Sequence, residues 1–127
     1  HYLSVQEVIL IHEYAILEFG GSFGLMSAEQ LEASVEAPRQ TMFGEDLYPD
    51  LLSKAAILFY LLIKNHCFVD GNKRTAALSL IEFLERNGYT LEATNDELYQ
   101  FTIDVATSVL DKEGVGNWLE SRVIPIG

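Results

Sequence analysis

Ten consecutive residues, 66–75, hold side chains that together could transfer a phosphate-containing group. His66 carries an imidazole, which can be neutral near pH 7 and can accept a proton from an attacking hydroxyl. Asp70 follows four residues later, and a single carboxylate beside phosphate groups is the usual protein ligand of Mg²⁺. Because phosphoryl-type transfer needs little beyond such positioned charges, this run indicates chemistry on a nucleotide.

The end of the run, from Gly71 to Arg74, has the composition of an anion site at the start of a helix. The first N–H groups of a helix have no intrahelical partner, and they favour phosphate. Gly71 has no Cβ, so the backbone can approach an anion closely. Lys73 and Arg74 add two positive charges that oppose the helix dipole, and a bound anion would offset them.

Each of these residues also has an ordinary structural role. Lys73 and Arg74 could form a solvated face, His66 could be a structural histidine, and Asp70 could be a helix cap. Their combination within one short segment favours the anion site over four separate roles. The segment is not a P-loop, because a predicted helix precedes it and the glycine pattern is missing.

The elements that must position these residues are predicted to be helices, since apolar residues recur at helical spacing and strand-like alternation is scarce. Cap residues and breakers set the ends. We predict six helices: one from Ser4 to the stop at Gly20 and Gly21, one from Ser27 to about Ala37 before Pro38, residues 51–65, residues 72–86 before Asn87 and Gly88, one from a cap near Asn95 that ends by Gly114, and a short one with Trp118 and Leu119.

Residues 51–65 are apolar on nearly every side, so this helix should lie in the middle of a bundle. In the fifth helix we expect Leu98, Phe101, Val105 and Val109 to point inward. We expect residues 39–50 to form a loop, which could include a short extended hairpin. The predicted fold is a compact all-α bundle that forms one domain over residues 1–127.

The composition excludes several classes of protein. The chain has 19 acidic and 8 basic residues, so a nucleic acid duplex would be repelled over most of its surface. Its longest apolar run, residues 55–63, is too short to cross a bilayer, and we see no signal peptide. A single cysteine, Cys67, excludes an intrachain disulfide. We therefore expect a cytoplasmic protein that binds neither nucleic acid directly nor membranes.

The run from His66 to Arg74 resembles the signature of the Fic/Doc family, His-x-Phe-x-Asp/Asn-Gly/Ala-Asn-Lys/Gly-Arg. The resemblance continues at Tyr2-Leu3-Ser4, Leu47-Tyr48-Pro49 and Asn87-Gly88-Tyr89, and thus covers nearly the whole chain. The length is similar to that of the short Doc-like (death-on-curing) branch. This resemblance implies the Fic/Doc topology of helices and a flap loop.

The resemblance also implies a role for each motif residue. These roles are a general base for His66, a core anchor for Phe68, a Mg²⁺ ligand for Asp70, and phosphate ligands for Gly71, Asn72, Lys73 and Arg74. Lys73 separates two activities, because Fic enzymes that transfer adenylyl groups usually have glycine there. Doc-like members have lysine and present the γ-phosphate to the hydroxyl, so Lys73 favours phosphoryl transfer.

The implied protein is a Mg²⁺- and ATP-dependent protein Ser/Thr kinase that acts as the toxin of a type II toxin–antitoxin system. Its target would belong to the translation machinery, with elongation factor Tu as the first candidate, and a separate antitoxin chain would inhibit it. Two alternatives stay open. One is a Fic-type adenylyltransferase, and the other is a non-catalytic module that binds a nucleotide or a partner.

Residues 39–48 correspond to the flap of the family, and Thr41, Met42 and Phe43 would position the target segment. An ordinary surface loop is the alternative. The spacing from Thr41 to Glu45 approaches that of the inhibitory helix of Fic proteins, but Gly44 argues against a helix. Outside this region, we interpret His12 as a core histidine, and Cys67, where many family members have proline, as a packing residue.

Overall fold

A computed structural model describes residues 1–127, and it consists of six helices and two short antiparallel strand pairs. The helices are α1 (Val5–Phe19), α2 (Ala28–Glu36), α3 (Leu51–Lys64), α4 (Asn72–Arg86), α5 (Asn95–Ala106) and α6 (Lys112–Arg122). The strands are β1 (Thr41–Met42), β2 (Glu45–Asp46), β3 (Tyr89–Leu91) and β4 (Val123–Pro125). A 3₁₀ turn, Ala37–Arg39, follows α2. The predicted helical bundle is confirmed.

Helix α3 lies at the centre, as its composition predicts, and packs against α2, α4, α5 and α6. Half of its residues, seven of 14, are buried. Aromatic stacking extends this core outward, since the ring of Phe59 lies 4.9 Å from that of Phe101, and Phe101 lies 3.7 Å from Trp118. Trp118 is thus partly buried against the core, and these stacked rings join α3, α5 and α6.

Most helix starts follow the local capping chemistry. Ser4 and Glu7 form a capping box at the predicted start of α1, and Ser27 accepts a hydrogen bond from the N–H of Gln30 at the predicted start of α2. Helix α4 has the predicted bounds. In α5 the cap is Thr94 rather than Asn95, because the hydroxyl of Thr94 accepts from the N–H of Glu97 and completes a capping box.

The prediction that Val109 points inward is wrong, since 71% of this residue is exposed. Helix α5 ends at Ala106, and the chain then turns through Ser108, which has a φ of +64°. This turn breaks the helical spacing that would have placed Val109 under Val105. Leu110 packs against the core in its place.

The sequence predicted one of the two strand pairs and not the other. The hairpin of β1 and β2 occupies the segment where a short hairpin was anticipated, with Met42 opposite Glu45. The pairing of β3 with β4, which places Tyr89 opposite Pro125, was not predicted. Each strand has three residues, and α5 and α6 lie between the two strands in the sequence.

None of the helices is long and apolar enough to span a bilayer.

Candidate active site

The residues with predicted chemistry lie at the motif junction, which we define as residues 66–74, between the end of α3 and the first turn of α4. Within it, Cys67 and Phe68 are buried, whereas His66 and Asp70 are exposed. His66 has a φ of +47°, and Gly71 caps α4 with a φ of +74°. The chain turns at these two left-handed residues, so that His66 and Asp70 are exposed while Cys67 and Phe68 between them are buried in the core.

Backbone hydrogen bonds fasten the motif junction to the glycine loop, which we define as residues 20–26 between α1 and α2. The carbonyl of Cys67 accepts from the N–H groups of Met26 (2.8 Å) and Ser27 (3.1 Å). The N–H of Val69 donates to the carbonyl of Gly24 at 3.0 Å. The two segments therefore run alongside each other as one unit.

Cys67 has the packing role that its sequence context indicated. The residue is fully buried, and its Sγ lies 3.8 Å from the hydroxyl of Ser34. Burial raises the pKa of the Cys67 thiol, because desolvation disfavours the thiolate. The thiol beside the candidate base is therefore a structural group and a poor nucleophile.

The side chain of Asn72 braces the motif junction from the helix side. Its Oδ1 accepts from the N–H of Phe68 at 2.9 Å, and its Nδ2 donates to the carbonyl of Phe68 at 2.8 Å. The amide is thus used within the protein. A phosphate contact by Asn72, as the family signature implies, would come from its backbone N–H.

His12 supports the junction from α1, and its interpretation as a core histidine is confirmed. The ring is 3% exposed and stacks on Phe68 at 3.9 Å between centroids, with an interplanar angle of 7°. Its Nε2 lies 2.8 Å from the carbonyl oxygen of Asp70, so Nε2 carries the hydrogen and donates. This contact fixes the backbone of the residue predicted to bind the metal.

The carboxylate of Asp70 is held by two backbone donors. Oδ2 accepts from the N–H of Ser22 at 3.0 Å, and Oδ1 accepts from the N–H of Gly71 at 2.8 Å. These bonds, the one from Ser22 first, lower the pKa of the Asp70 carboxyl, and the positive charge of Lys73 acts in the same direction. Asp70 is therefore ionised at neutral pH, which is the state a metal ligand needs.

The first turn of α4 presents free donors next to this carboxylate. Its first helical hydrogen bond runs from the N–H of Thr75 to the carbonyl of Gly71, so the N–H groups of Asn72, Lys73 and Arg74 have no backbone partner. Lys73 and Arg74 are exposed at the same end. Three unpaired donors, two cations and a glycine cap form an anion-binding helix start.

A groove of about 650 Å³ between α1, α4 and α5 opens at this helix start. Asp70, Gly71, Asn72, Lys73 and Arg74 line it together, so the structure brings five of the predicted site residues into one cavity. Its lining also includes the aromatic residues Phe19 and Tyr99 and the polar Asn95 and Asp96. His66 is exposed, four residues before Asp70 in the chain, but it is not among the lining residues of the groove.

Phe19, the last residue of α1, also lines the groove, although the motif in the sequence does not include it. The residue is 55% exposed, and the guanidinium of Arg74 lies 4.0 Å from its ring centroid. This cation–π contact orients Arg74 along the groove. An aromatic residue at the last position of α1, directly before two glycines, was the available signal.

The donor set fits Mg²⁺ bound together with a polyphosphate. Residues 1–127 contain no cluster of three acidic, His or Cys side chains that could hold a metal by itself. Mg²⁺ commonly takes one carboxylate and completes its shell with phosphate oxygens and water. Asp70 offers that carboxylate, already ionised and oriented, next to a helix start that favours phosphate.

The flap hairpin, which we define as residues 41–46, projects its tip into solvent. Phe43 is 99% exposed and has a φ of +52°, and Gly44 follows with a φ of +81°. Two consecutive residues with positive φ make a primed two-residue turn, whose twist suits an antiparallel hairpin. Thr41 and Met42 are exposed as well, so all three predicted target-positioning residues face outward.

Lys54 of α3 fastens the base of the flap hairpin. Its Nζ donates to the carbonyl of Pro38 (3.3 Å) before the hairpin and to the carbonyl of Tyr48 after it. The same Nζ lies 3.5 Å from Oδ2 of Asp46. One side chain therefore ties both ends of the hairpin to the central helix, which the sequence alone did not indicate.

The chain belongs to the Fic/DOC family, whose model matches residues 2–84. Its relatives include "Toxin Doc" of Mycolicibacterium smegmatis, which is 41% identical over 95 residues, or 75% of this chain and 71% of the relative. "Protein kinase doc" of Escherichia phage P1 is 30% identical over 118 residues, or 93% of this chain and 92% of the relative. The family resemblance of the motif is thereby confirmed.

Proposed function

We propose that this chain is a Doc-type toxin kinase, which transfers the γ-phosphate of ATP to a hydroxyl of a protein of the translation machinery. The observation that carries the proposal is the pairing of the oriented Asp70 carboxylate with the open first turn of α4 in a single groove. The names of the two relatives, a toxin and a protein kinase, support it. Elongation factor Tu is the first candidate target, on the family resemblance alone.

The phosphates of ATP bind at the free N–H groups of α4, with Lys73 and Arg74 offsetting their charge. Asp70 would hold Mg²⁺, which would supply charge neutralisation on the phosphate oxygens. The stacked Phe19 keeps the guanidinium of Arg74 at the groove. These contacts place the polyphosphate without any covalent help from the protein, as phosphoryl transfer requires.

His66 acts as the general base. Its exposed imidazole takes the proton of the target hydroxyl as that oxygen forms a bond to the γ-phosphorus. The bond from the γ-phosphorus to the β,γ-bridging oxygen breaks, and ADP leaves with that oxygen. The products are a phosphorylated Ser or Thr of the target, ADP and a protonated His66, which loses its proton to solvent.

The exposed position of His66, outside the lining of the groove, fits a base that must meet a group from another protein. The flap hairpin supplies the other side of that encounter, because Thr41, Met42 and Phe43 are exposed and can align a target segment. The toxin assignment also implies a separate antitoxin chain as a partner.

ATP labelled at the α- or the γ-phosphate distinguishes the proposed kinase from an adenylyltransferase. The protein is incubated with Mg²⁺ and purified elongation factor Tu or a translation extract, and the label on protein is measured. We expect label only from the γ position. Label only from the α position would replace the kinase with an adenylyltransferase, and calorimetric binding of ATP without transfer to any protein would support a non-catalytic module.

A further inference from the structure

We propose that Gly21 and Ser22 of the glycine loop are positioning residues that set the carboxylate of Asp70 for metal binding. The inference rests on the proposed function in one respect, the assignment of Mg²⁺ to Asp70. Neither residue belongs to the motif junction, and the sequence pattern explained Gly21 only as part of a helix stop. In the structure, Gly21 also leaves room for the carboxylate of Asp70.

The first observation is the contact between the glycine loop and Asp70. The N–H of Ser22 donates to Oδ2 of Asp70 at 3.0 Å, across 48 residues of sequence. The N–H of Gly71 donates to the other oxygen, Oδ1, at 2.8 Å. The two donors come from different segments, and together they fix the rotation of the carboxylate, which a single donor could not do.

The second observation is the space that Gly21 leaves. A Cβ built at Gly21 would lie 2.6 Å from Oδ2 of Asp70 and 3.1 Å from Cδ1 of Ile16. Any other residue at this position would push the carboxylate away from the N–H of Ser22. The absence of a side chain at Gly21 is therefore a condition for the observed position of Asp70.

Helix termination does not require this glycine, because Gly20 already provides it. Gly20 is the C-cap of α1, with a φ of +87°, and its N–H donates to the carbonyl of Ile16 at 2.8 Å. A Cβ at Gly20 would meet nothing within 4 Å. The two adjacent glycines thus have different tasks: Gly20 ends the helix, and Gly21 accommodates the carboxylate.

The rest of the glycine loop keeps this contact in register. Gly24 accepts from the N–H of Val69, and Leu25 forms a bridge with Phe68. A Cβ at Gly24 would lie 2.8 Å from Cγ2 of Val69, so the two segments are in close contact there as well. Ser22 is therefore held opposite Asp70 by bonds on its C-terminal side and by α1 on its N-terminal side.

Gly21→Ala tests the inference, and Gly20→Ala is its matched control. Both variants put a methyl group on a residue with positive φ, +114° and +87°, so both carry a backbone cost. Only Gly21→Ala also crowds Asp70. We would measure binding of ADP to each full chain by calorimetry, first without a divalent ion and then across a Mg²⁺ titration.

For Gly21→Ala we expect the Mg²⁺ concentration at half-maximal effect to rise tenfold or more, while ADP binding without Mg²⁺ stays within twofold of the wild type. In Gly20→Ala, which does not crowd Asp70, the Mg²⁺ concentration at half-maximal effect should stay within twofold of the wild type. Equal Mg²⁺ responses of the two variants would overturn the inference, since a general structural effect of the loop predicts that result.

Amide hydrogen exchange of the metal-free protein gives a second test. It needs no metal, and it does not depend on whether Gly21→Ala folds. In Asp70→Ala we expect the Ser22 amide to exchange at least tenfold faster than in the wild type, whereas the amides of Met26 and Ser27, which bond to Cys67, keep their rates. Unchanged exchange at Ser22 would show that Asp70 is not its acceptor and would overturn the inference.

These results can be told apart from failure of the proposed function. If exchange at Ser22 and the Mg²⁺ titration follow the expectation but no phosphate reaches any protein, then the positioning role stands and the kinase proposal falls. If γ-phosphate transfer is observed and Gly21→Ala behaves like Gly20→Ala, the kinase proposal stands and the positioning role falls.

Discussion

The motif junction and the flap hairpin are both loops beside the central helix α3, yet they are built in opposite ways. Four residues from three elements hold the junction: His12 of α1, Ser22 and Gly24 of the glycine loop, and Asn72 at the start of α4. The flap hairpin has strands of two residues and a tip that is 99% exposed, and Lys54 ties its base.

Under the proposed function, the difference indicates which part of a phosphate-transfer site has to be rigid. Atoms that stabilise charge act through fixed distances, because a preoriented carboxylate or N–H group pays no reorganisation cost during the reaction. A segment that meets a separate protein gains from exposed apolar surface and has less need of fixed atoms. The molecule places its internal hydrogen bonds at the junction and its exposed apolar side chains, Met42 and Phe43, at the flap.

The largest expected effect comes from His66, the proposed base at the junction. His66→Ala should lower phosphate transfer by a factor of about 10²–10⁴, since the variant removes the proton acceptor. The free energy of unfolding should change little, because the side chain is exposed. His1→Ala, which removes another exposed imidazole, is the control, and transfer at the wild-type rate in His66→Ala would remove the base assignment.

The brace of the junction should come next. Asn72→Ala deletes both hydrogen bonds to the backbone of Phe68, and we expect a loss of about 2–3 kcal/mol in the free energy of unfolding. Transfer should fall at least tenfold, because the loop under Asp70 loosens. Asn65→Ala is the control in urea unfolding, since it deletes a single bond to Ser34 and should cost about 1 kcal/mol.

Lys54→Met probes the base of the flap. The variant keeps the aliphatic stem but removes the donor to Pro38 and Tyr48, so we expect about 1–2 kcal/mol of destabilisation. The KM for the target protein should rise several-fold, while ATP hydrolysis without target stays unchanged. Lys64→Met, at the C-terminal end of α3, removes a donor to Ser108 and should leave that KM unaffected. Equal KM values in the two variants would argue against a positioning role for Lys54.

The flap tip should matter for the target and hardly at all for the fold. Phe43→Ser changes a side chain that contacts almost nothing, so the free energy of unfolding should stay within about 0.5 kcal/mol. We expect a higher KM for the target protein and unchanged binding of ADP. Val109→Ser, an exposed apolar change outside the flap, is the control, and an equal effect of both on KM would indicate a nonspecific loss of surface hydrophobicity.

The smallest effect concerns pH and stability at the junction. The folded state lowers the pKa of Asp70, so the carboxylate stabilises the fold above the unfolded pKa of about 4, and this contribution disappears as the pH falls through the folded value. Asp70→Asn should therefore be less stable than the wild type at pH 7, and the difference should shrink at pH 3. Urea midpoints at both pH values measure it.

Glu85→Gln is the charge control for that comparison, because it removes an exposed carboxylate of α4 that accepts no hydrogen bond. A gap between Asp70→Asn and the wild type that stays constant from pH 7 to pH 3 would show that the two backbone bonds do not favour the charged form.

Local chemistry in the sequence determined the helices and the motif. The capping box of Ser4 and Glu7, the stop at Gly20 and the bounds of α4 depend on residues within a few positions of one another, so they can be read from the chain. The signature of residues 66–74 indicated the family in the same way. The inward placement of Val109 failed because a turn at Ser108 interrupts a spacing that looks continuous in one dimension.

Only the tertiary structure decided what surrounds the motif. Ser22 reaches Asp70 across 48 positions, His12 reaches it across 58, and β3 pairs with β4 across two helices. The first two contacts follow from how α1 and the glycine loop pack against the start of α4. No local pattern of residue types predicts a contact between segments so far apart in the chain. The sequence by itself thus specified which groups are present and on which elements, whereas packing between distant segments fixed the direction in which each group points.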